Sequence, residues 1–304
     1  MDGKESLYQL RQVLSEASDS RFLDDKTSYM YLWAAAKDFV FRTNCLTTSQ
    51  TITTVADQEA YSLEPHFLKL YLKTEDENPF VKYTQGTDNF FLEWHDYDKI
   101  RWENQTTSIS IPTYFTIRDK RSLLSRITGT ASAAGASSGG ECTLTDTSSS
   151  TKFANVSVGD TVHNTTDGAD GIVISKTSNT ALVTALFGGS GNDWASSDAY
   201  VIQPQGRMEL LLNPPPTTAG DSVLVEYVVA PDPVFSSYGV YRFPQEYMDV
   251  IIAYAAWAYK YRDREPDFGD KWYRNYELQT RRYVNHLPQW QHKYKIPVSF
   301  RRRD

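Results

Sequence analysis

The side chains that most often perform chemistry are few in this sequence, and their spacing does not suit it. The five histidines are His66, His95, His163, His286 and His292. No two of them stand at the His-x-x-x-His spacing that turns two imidazoles toward one metal ion. Two cysteines are too few for a cysteine-based zinc site or a disulfide framework. We therefore expect no enzyme, no cofactor and no metal.

Three polar segments have structural interpretations that we prefer to chemical ones. Residues 160–171 are acidic but lack the terminal glutamate of an EF-hand, so we interpret them as turns rather than a calcium site. Residues 188–193 are glycine-rich with no helix pattern after them, and we predict a hairpin turn there rather than a phosphate site. His95, Asp96 and Asp98 are expected in a solvated polar loop.

The first forty residues predict two helices. Apolar residues recur every three or four positions from Leu7 to Ala17 and again from Tyr29 to Val40. Asp24 or Asp25 is placed to cap the second helix, which should end near Thr43. Short β-branched or alternating segments follow, and they predict strands between residues 50 and 117.

Residues 127–205 differ in composition from the chain on either side. They contain two basic and seven acidic residues among many Gly, Ser, Thr and Ala. Short strand-like pieces alternate with turn signals, which is typical of a small all-β module. We predict an inserted β domain, with four large residues forming its core or surface: Phe153, Phe187, Trp194 and Tyr200.

The chain then returns to strands and ends in two helices and a tail. The spacing predicts one helix with a stripe from Met248 to Tyr259, and a last helix with a stripe from Phe268 to Tyr283. Beyond it the tail carries aromatic, aliphatic and basic residues that suit a docking strand better than a solvated end. These tail residues are Trp290, Tyr294, Ile296, Val298, Phe300, Arg301, Arg302 and Arg303.

These patterns together predict an α+β fold. Helices from both ends of the chain form a bundle that packs with a central antiparallel β region. The core comprises residues 1–126 and 206–287, the inserted all-β domain residues 127–205, and the extended C-terminal tail residues 288–304.

Charge and hydropathy exclude several classes of protein. The net charge is −7, which argues against a dedicated DNA-wrapping protein. Residues 241–304 nevertheless carry 13 Lys and Arg against 8 Asp and Glu, and the remainder carries 18 against 30. No apolar run approaches the roughly 18–20 residues that span a bilayer. The polar N-terminus lacks the apolar core of a signal peptide, so we expect neither a membrane partner nor secretion by that route.

Several short blocks, taken in order, resemble the head-to-tail adaptor (connector) proteins of tailed bacteriophages. The blocks are WAAA at 33–36, AYSLEPHFLKL at 60–70, LLNPPP at 211–216, VLVEY at 223–227, FPQEY at 243–247 and AYAA at 253–256. They cover most of residues 1–120 and 207–287, with a departure at Glu64, where a Leu-Pro pair is commoner. Within the insert, residues 153–168, 188–194 and 198–202 are similar to a small β module of several phage structural proteins, where it looks like external decoration.

The resemblance implies a structural virion protein without catalysis. Such adaptors form a homo-oligomeric ring, usually of twelve copies, beneath the portal protein. The ring joins the DNA-filled head to a downstream tail or neck protein (a nozzle, terminator or tube), and genomic DNA passes through its lumen without sequence recognition. The C-terminal tail typically inserts into or along the portal. The implied location is the neck of the virion, and the host cytoplasm during assembly.

Three alternatives remain open at this point, and the first is that the protein is another structural component of the tail or neck. A glycan-binding or cell-surface protein would act through the inserted domain, where Trp194 and Tyr200 are the aromatic platforms on offer. A hydrolase of the cell envelope would use carboxylates without a recognisable motif, because any two of the 38 Asp and Glu residues can meet in space.

Overall fold

The computed structural model describes residues 1–16, 23–71, 80–98, 111–122, 124–243, 245–262 and 266–286. Within these stretches the chain is a mixed α+β protein with four α-helices and several antiparallel sheets. The helices are α1 (Gly3–Leu14), α2 (Asp25–Thr43), α3 (Met248–Arg262) and α4 (Pro266–His286), and a 3₁₀ turn (Gln245–Tyr247) precedes α3.

The two N-terminal helices begin and end at residues suited to those positions. Asp24 caps α2, because its carboxylate accepts a hydrogen bond from the Thr27 amide at 2.6 Å. Asp2 caps α1 in the same way. Ser15 and Asn44 adopt the left-handed conformation that ends a helix. The predicted cap and end of α2 are therefore confirmed.

Helix α3 is apolar on almost every side. Its buried residues are Met248, Val250, Ile251, Ile252, Ala253, Ala255, Ala256 and Tyr259. It packs against α4, α2 and α1. In α4, Tyr276 is fully buried, and Trp272 and Tyr283 pack against the same core. Phe268 is 43 % exposed, so the predicted stripe is wrong only at its first residue. Eight residues turn a helix through about 80° beyond whole turns, which carries Phe268 off the buried side.

Fifteen strands lie in the described residues. In chain order they are β1 (Thr47–Thr53), β2 (Ala60–Ser62), β3 (Phe67–Leu70), β4 (Val81–Gln85), β5 (Asp88–Phe91), β6 (Glu93–Trp94), β7 (Tyr114–Ser122), β8 (Ile127–Thr130), β9 (Cys142–Thr145), β10 (Thr161–Asn164), β11 (Ala169–Ser178), β12 (Ala181–Phe187), β13 (Ala199–Gln203), β14 (Arg207–Asn213) and β15 (Ser222–Val229).

Two sheets make up the central β region. The first has the order β1-β15-β4-β5 and also carries β3 on β15, and all its pairs are antiparallel. The second has the order β2-β14-β7-β6, in which the short β6–β7 pair is parallel. Alternate residues of β14 and β15, such as Leu210 and Val225, join one apolar cluster. The period of two therefore packs the two sheets against each other.

The third sheet is formed entirely by residues 127–203, the segment that composition sets apart. Its six antiparallel strands have the order β8-β13-β10-β11-β12-β9. Beyond β8 the chain bridges to β9 at Ala133 and Thr145, so the two edges of the sheet approach each other. The sheet thus curls around a core of its own.

The chain enters and leaves this sheet side by side. Its first and last strands are neighbours, with Ile127 opposite Ile202. The fully buried Asp160 accepts hydrogen bonds from the amides of Ser157 at 2.8 Å and Gln205 at 2.9 Å. Burial raises the pKa of Asp160, although both amides oppose the shift. This carboxyl ties the exit of the chain to the approach to β10.

A second buried carboxyl, that of Asp146 after β9, links this edge of the inserted sheet to Tyr200 of β13. Asp146 accepts hydrogen bonds from the Tyr200 hydroxyl at 2.6 Å and the Ser148 amide at 2.8 Å, and Lys152 lies 3.6 Å away. Burial disfavours its charged form, but the hydrogen bonds and Lys152 outweigh burial and lower the pKa of Asp146.

Replacing Tyr200 by Phe should therefore destabilise the protein in a pH-dependent way. At pH 7 we expect a loss of about 2 kcal/mol in the free energy of unfolding, because a buried carboxylate loses a donor. The folded-state pKa of Asp146 lies below the unfolded value of about 3.9, so the contribution is present above that pH and fades as the pH falls through the folded-state pKa. Denaturant unfolding at pH 7 and pH 3 measures both. Tyr238→Phe, at an exposed position, is the control, and an equal penalty at both pH values would contradict the assignment.

Candidate interaction surfaces

The predicted docking tail follows helix α4 directly. Its residues Trp290, Tyr294, Ile296, Val298, Phe300, Arg301, Arg302 and Arg303 lie outside the described part of the chain. What the structure describes is the helix that carries them.

Helix α4 is fixed to α2 by charged and aromatic contacts. The Arg42 guanidinium lies 2.8 Å from Asp38 and also binds Glu277 of α4. Tyr276 donates a hydrogen bond to Asp38. Burial disfavours the charged form of Glu277, but Arg42 and Tyr273 outweigh it and lower its pKa. These contacts fix the middle of α4 on α2.

Three of the four large residues of the insert lie in its interior. Phe153, Trp194 and Tyr200 are each at most 1 % exposed, and the Trp194 indole donates to the Thr184 hydroxyl at 2.9 Å. Their rings are turned away from solvent and offer no stacking platform to a sugar. The glycan-binding alternative loses the two aromatic residues on which it depended.

Phe187 lies elsewhere, at the boundary between the insert and the helices. It is half-buried, and its ring centroid is 6.4 Å from that of Phe235. Phe235 in turn contacts Trp33 and Tyr29 of α2, each at 5.9 Å. Phe187 ends β12, which places it outside the core of its own sheet and within that of the helices. Of the two predicted positions, the core or the surface of the insert, the structure excludes the core for Phe187.

Further contacts hold the insert against the helical part of the protein. Lys26 of α2 lies 3.6 Å from Asp170 of β11. Ser237 donates from its hydroxyl to the Gly139 carbonyl at 2.6 Å, and Ser236 donates to Glu141. The resemblance to an external decorating module implies a loose attachment, but several contacts fix this insert to the rest of the protein.

A cleft of about 440 Å³ remains between α2 and the insert. Its walls are mostly apolar and include Met30, Trp33, Ile172, Phe187 and Phe235. Pockets of this size and character commonly lie where two structural units meet. We call it the α2 cleft.

The polar groups of the α2 cleft are few and defined. His163 Nδ1 lies 2.5 Å from Asp170 Oδ1, and this hydrogen bond lowers the pKa of Asp170. Lys37 Nζ lies 3.8 Å from the centroid of the Trp33 ring, and burial lowers its pKa. Lys26 also lines the cleft, so the cleft contains two lysines, one histidine and one carboxylate. That carboxylate, Asp170, already binds His163 and Lys26. The cleft therefore favours an apolar group that carries negative charge beside it.

The acidic residues of 160–171 have separate structural roles. Asp160 binds two amides, Asp170 binds His163, and Asp167 accepts from the Ser190 hydroxyl at 3.0 Å. Across the described residues, no three His, Cys, Asp or Glu side chains come together in a way that could hold a metal ion.

Two glycine-rich segments are loops. Residues 188–198 connect β12 to β13, which are not neighbours in the sheet, so the predicted hairpin turn was wrong. The segment crosses the end of the module and is fixed by Ser190 and Asn192. Residues 135–139 have the Gly-x-Ser-x-Gly spacing of a nucleophile elbow, but they join two strands and lack the strand–turn–helix setting of that motif.

The α2 cleft was missed by sequence reasoning. Its residues come from α2, β10, β11, β12 and the loop at Phe235, and no local period relates them. The one usable signal is the surplus of apolar residues on α2, where Met30 and Ala34 lie beside the predicted stripe.

None of the described helices has the length and apolar composition needed to cross a membrane. No protein-family model matches this sequence, and no curated protein matches it.

Replacing Phe235 by Ala should loosen the insert from the helices. We expect a loss of about 3–5 kcal/mol in the free energy of unfolding, because Phe235 is 4 % exposed and contacts both units. Denaturant unfolding followed by tryptophan fluorescence should then resolve two transitions. Tyr261→Ala, at a position 65 % exposed, is the control. A single transition with a loss under about 1 kcal/mol would contradict this role.

Proposed function

We propose that this protein is a head-to-tail adaptor of a tailed bacteriophage, a structural virion protein without catalysis. The observation that carries the proposal is the attachment of α4 to α2 through Arg42, Asp38 and Glu277. It fixes α4, the helix that precedes the basic, alternating tail in the sequence. A strand presented in that way suits addition to a partner. The order of the sequence blocks that resemble adaptors supports the same function.

In this proposal the four helices act as a bundle that forms the wall of a ring, usually of twelve copies. The strands of the two central sheets face the downstream tail or neck protein. The tail, through Trp290, Tyr294, Ile296, Val298 and Phe300, docks on the portal, and Arg301, Arg302 and Arg303 add charge. The protein acts in the neck of the virion and assembles in the host cytoplasm.

The charge distribution suits a channel for DNA. Outside residues 241–304, Asp and Glu number 30 against 18 Lys and Arg. A lumen lined by carboxylates repels phosphate and lets the genome slide without sticking. A reconstructed ring whose channel is lined mainly by Lys and Arg would overturn this part of the proposal.

Mixing the protein with the portal ring of the same phage tests the adaptor role. Mass photometry should detect a gain of about one copy per portal subunit, and removal of residues 288–304 should abolish it. Replacing Tyr294, Ile296, Val298 and Phe300 by Ser should also abolish binding, because one face of an added strand supplies the anchoring side chains.

Replacing the alternate residues Lys293, Lys295 and Ser299 by Gln is the matched control, and it should leave binding within about threefold at physiological salt. Absence of any association between the full chain and the portal at low and physiological salt would refute the adaptor role.

A further inference from the structure

An acidic segment with exposed aromatic rings lies at the edges of the two central sheets. Between Asp88 and Asp98 there are four carboxylates and no Lys or Arg. All four are exposed: Asp88, Glu93, Asp96 and Asp98. We call this segment, residues 88–98, the acidic ridge.

The ridge presents rings that a soluble surface normally covers. Phe91 is 67 % exposed and Trp94 is 39 % exposed. Alternation along β5 turns Phe90 toward Tyr83, with ring centroids 6.4 Å apart, and so turns Phe91 outward. Phe91 contacts Phe80 edge-on at 5.4 Å, which orients its ring. The residue opposite Phe91 across the strand pair is Lys82, and the carboxylates of the ridge lie before and after Phe91 along the chain. An exposed aromatic ring held in a defined orientation is suited to anchor an interface.

The α2 cleft has the opposite character. Its walls are the rings of Trp33, Phe187 and Phe235, and its volume of about 440 Å³ leaves room for an aromatic side chain. Lys26, Lys37 and His163 line it. The negative partner inside the cleft, Asp170, is held by His163 and Lys26. An incoming carboxylate therefore meets the ammonium groups of Lys26 and Lys37, and an incoming ring meets apolar walls.

We propose that the acidic ridge of one copy docks in the α2 cleft of a neighbouring copy, with Phe91 as the anchor. The occupant is a second copy of this chain because the two surfaces match in charge and in aromatic character. Two different patches are joined, so the contact is head-to-tail, and such contacts close into a ring when the rotation allows it. The inference rests on the proposed ring and names the contact that builds it.

The contact has a consistent energetic basis. Apolar burial of Phe91 supplies the favourable term at the centre of the contact. The carboxylates elsewhere on the ridge set the direction of approach and disfavour reversed pairings, because two ridges or two clefts would bring like charges together. Self-association should therefore weaken as salt rises.

Variants of each surface test the contact. Phe91→Asp removes the anchor. Met30→Asp places a negative charge at the mouth of the cleft, where it repels the carboxylates of the incoming ridge; Met30 is 52 % exposed. Both positions tolerate a polar residue in the folded chain because they face solvent. Tyr261→Asp, 65 % exposed on α3, is the matched control. Equal unfolding midpoints for all four proteins show that folding is unaffected.

Sedimentation velocity of the free proteins, and mass photometry on the portal ring, give the readout. Wild type and Tyr261→Asp should assemble beyond a dimer, in solution or cooperatively on the portal. Each surface variant should associate at least roughly tenfold more weakly. An equimolar mixture of the two variants should form dimers and nothing larger, because one intact ridge then meets one intact cleft.

The inference is overturned if both variants assemble as wild type does, if their mixture forms no dimer, or if wild type stops at a dimer or never self-associates. Portal binding with unaltered assembly of both variants removes this contact and leaves the adaptor role. Assembly that both variants abolish, without any portal binding, keeps the contact and removes the adaptor role.

Discussion

Burial of helix α3 is the constraint on which the rest of the structure depends. A helix that is apolar on almost every side must be covered on every side, and α1, α2 and α4 supply most of that cover. The first two and the last two of the described helices are thereby brought together. The strands between these helices form two sheets that share a separate apolar cluster. The insert is a third sheet with a core of its own.

The spacing of neighbouring residues in the sequence predicted individual helices and strands better than it predicted which of them pack together. The cap at Asp24, the end of α2 and the limits of the insert follow from short-range chemistry, which the printed sequence contains. The position of Phe187 does not, because its partner Phe235 is 48 residues away and belongs to a loop without periodicity. The α2 cleft could not be predicted from the sequence for the same reason. Lys26 and Asp170 are far apart in the chain, and they come together only where the insert packs on α2. The docking tail, predicted from its alternation, stays a prediction.

The contacts of the insert show that it is a fixed part of the protein's surface. A decorative module would need one attachment, but this one has a strand-pair neck, an aromatic contact through Phe235 and a loop contact at Gly139. Three attachments fix its orientation relative to α2. A rigid module of that kind shapes the surface of the helix it covers, and the α2 cleft is the result. In an assembled ring, its orientation would be repeated in every copy.

The pairing of β8 with β13 also bears on how far the rest of the chain depends on the inserted module. Because Ile127 and Ile202 face each other across one strand pair, the host chain has to bridge only about 5 Å where the module begins and ends. A gap that small can be spanned by a surface turn, and the strands on either side of it already pair, with Ser122 of β7 opposite Arg207 of β14. The two central sheets therefore do not need the module in order to close. What the module adds is the second wall of the α2 cleft, which α2 alone does not form.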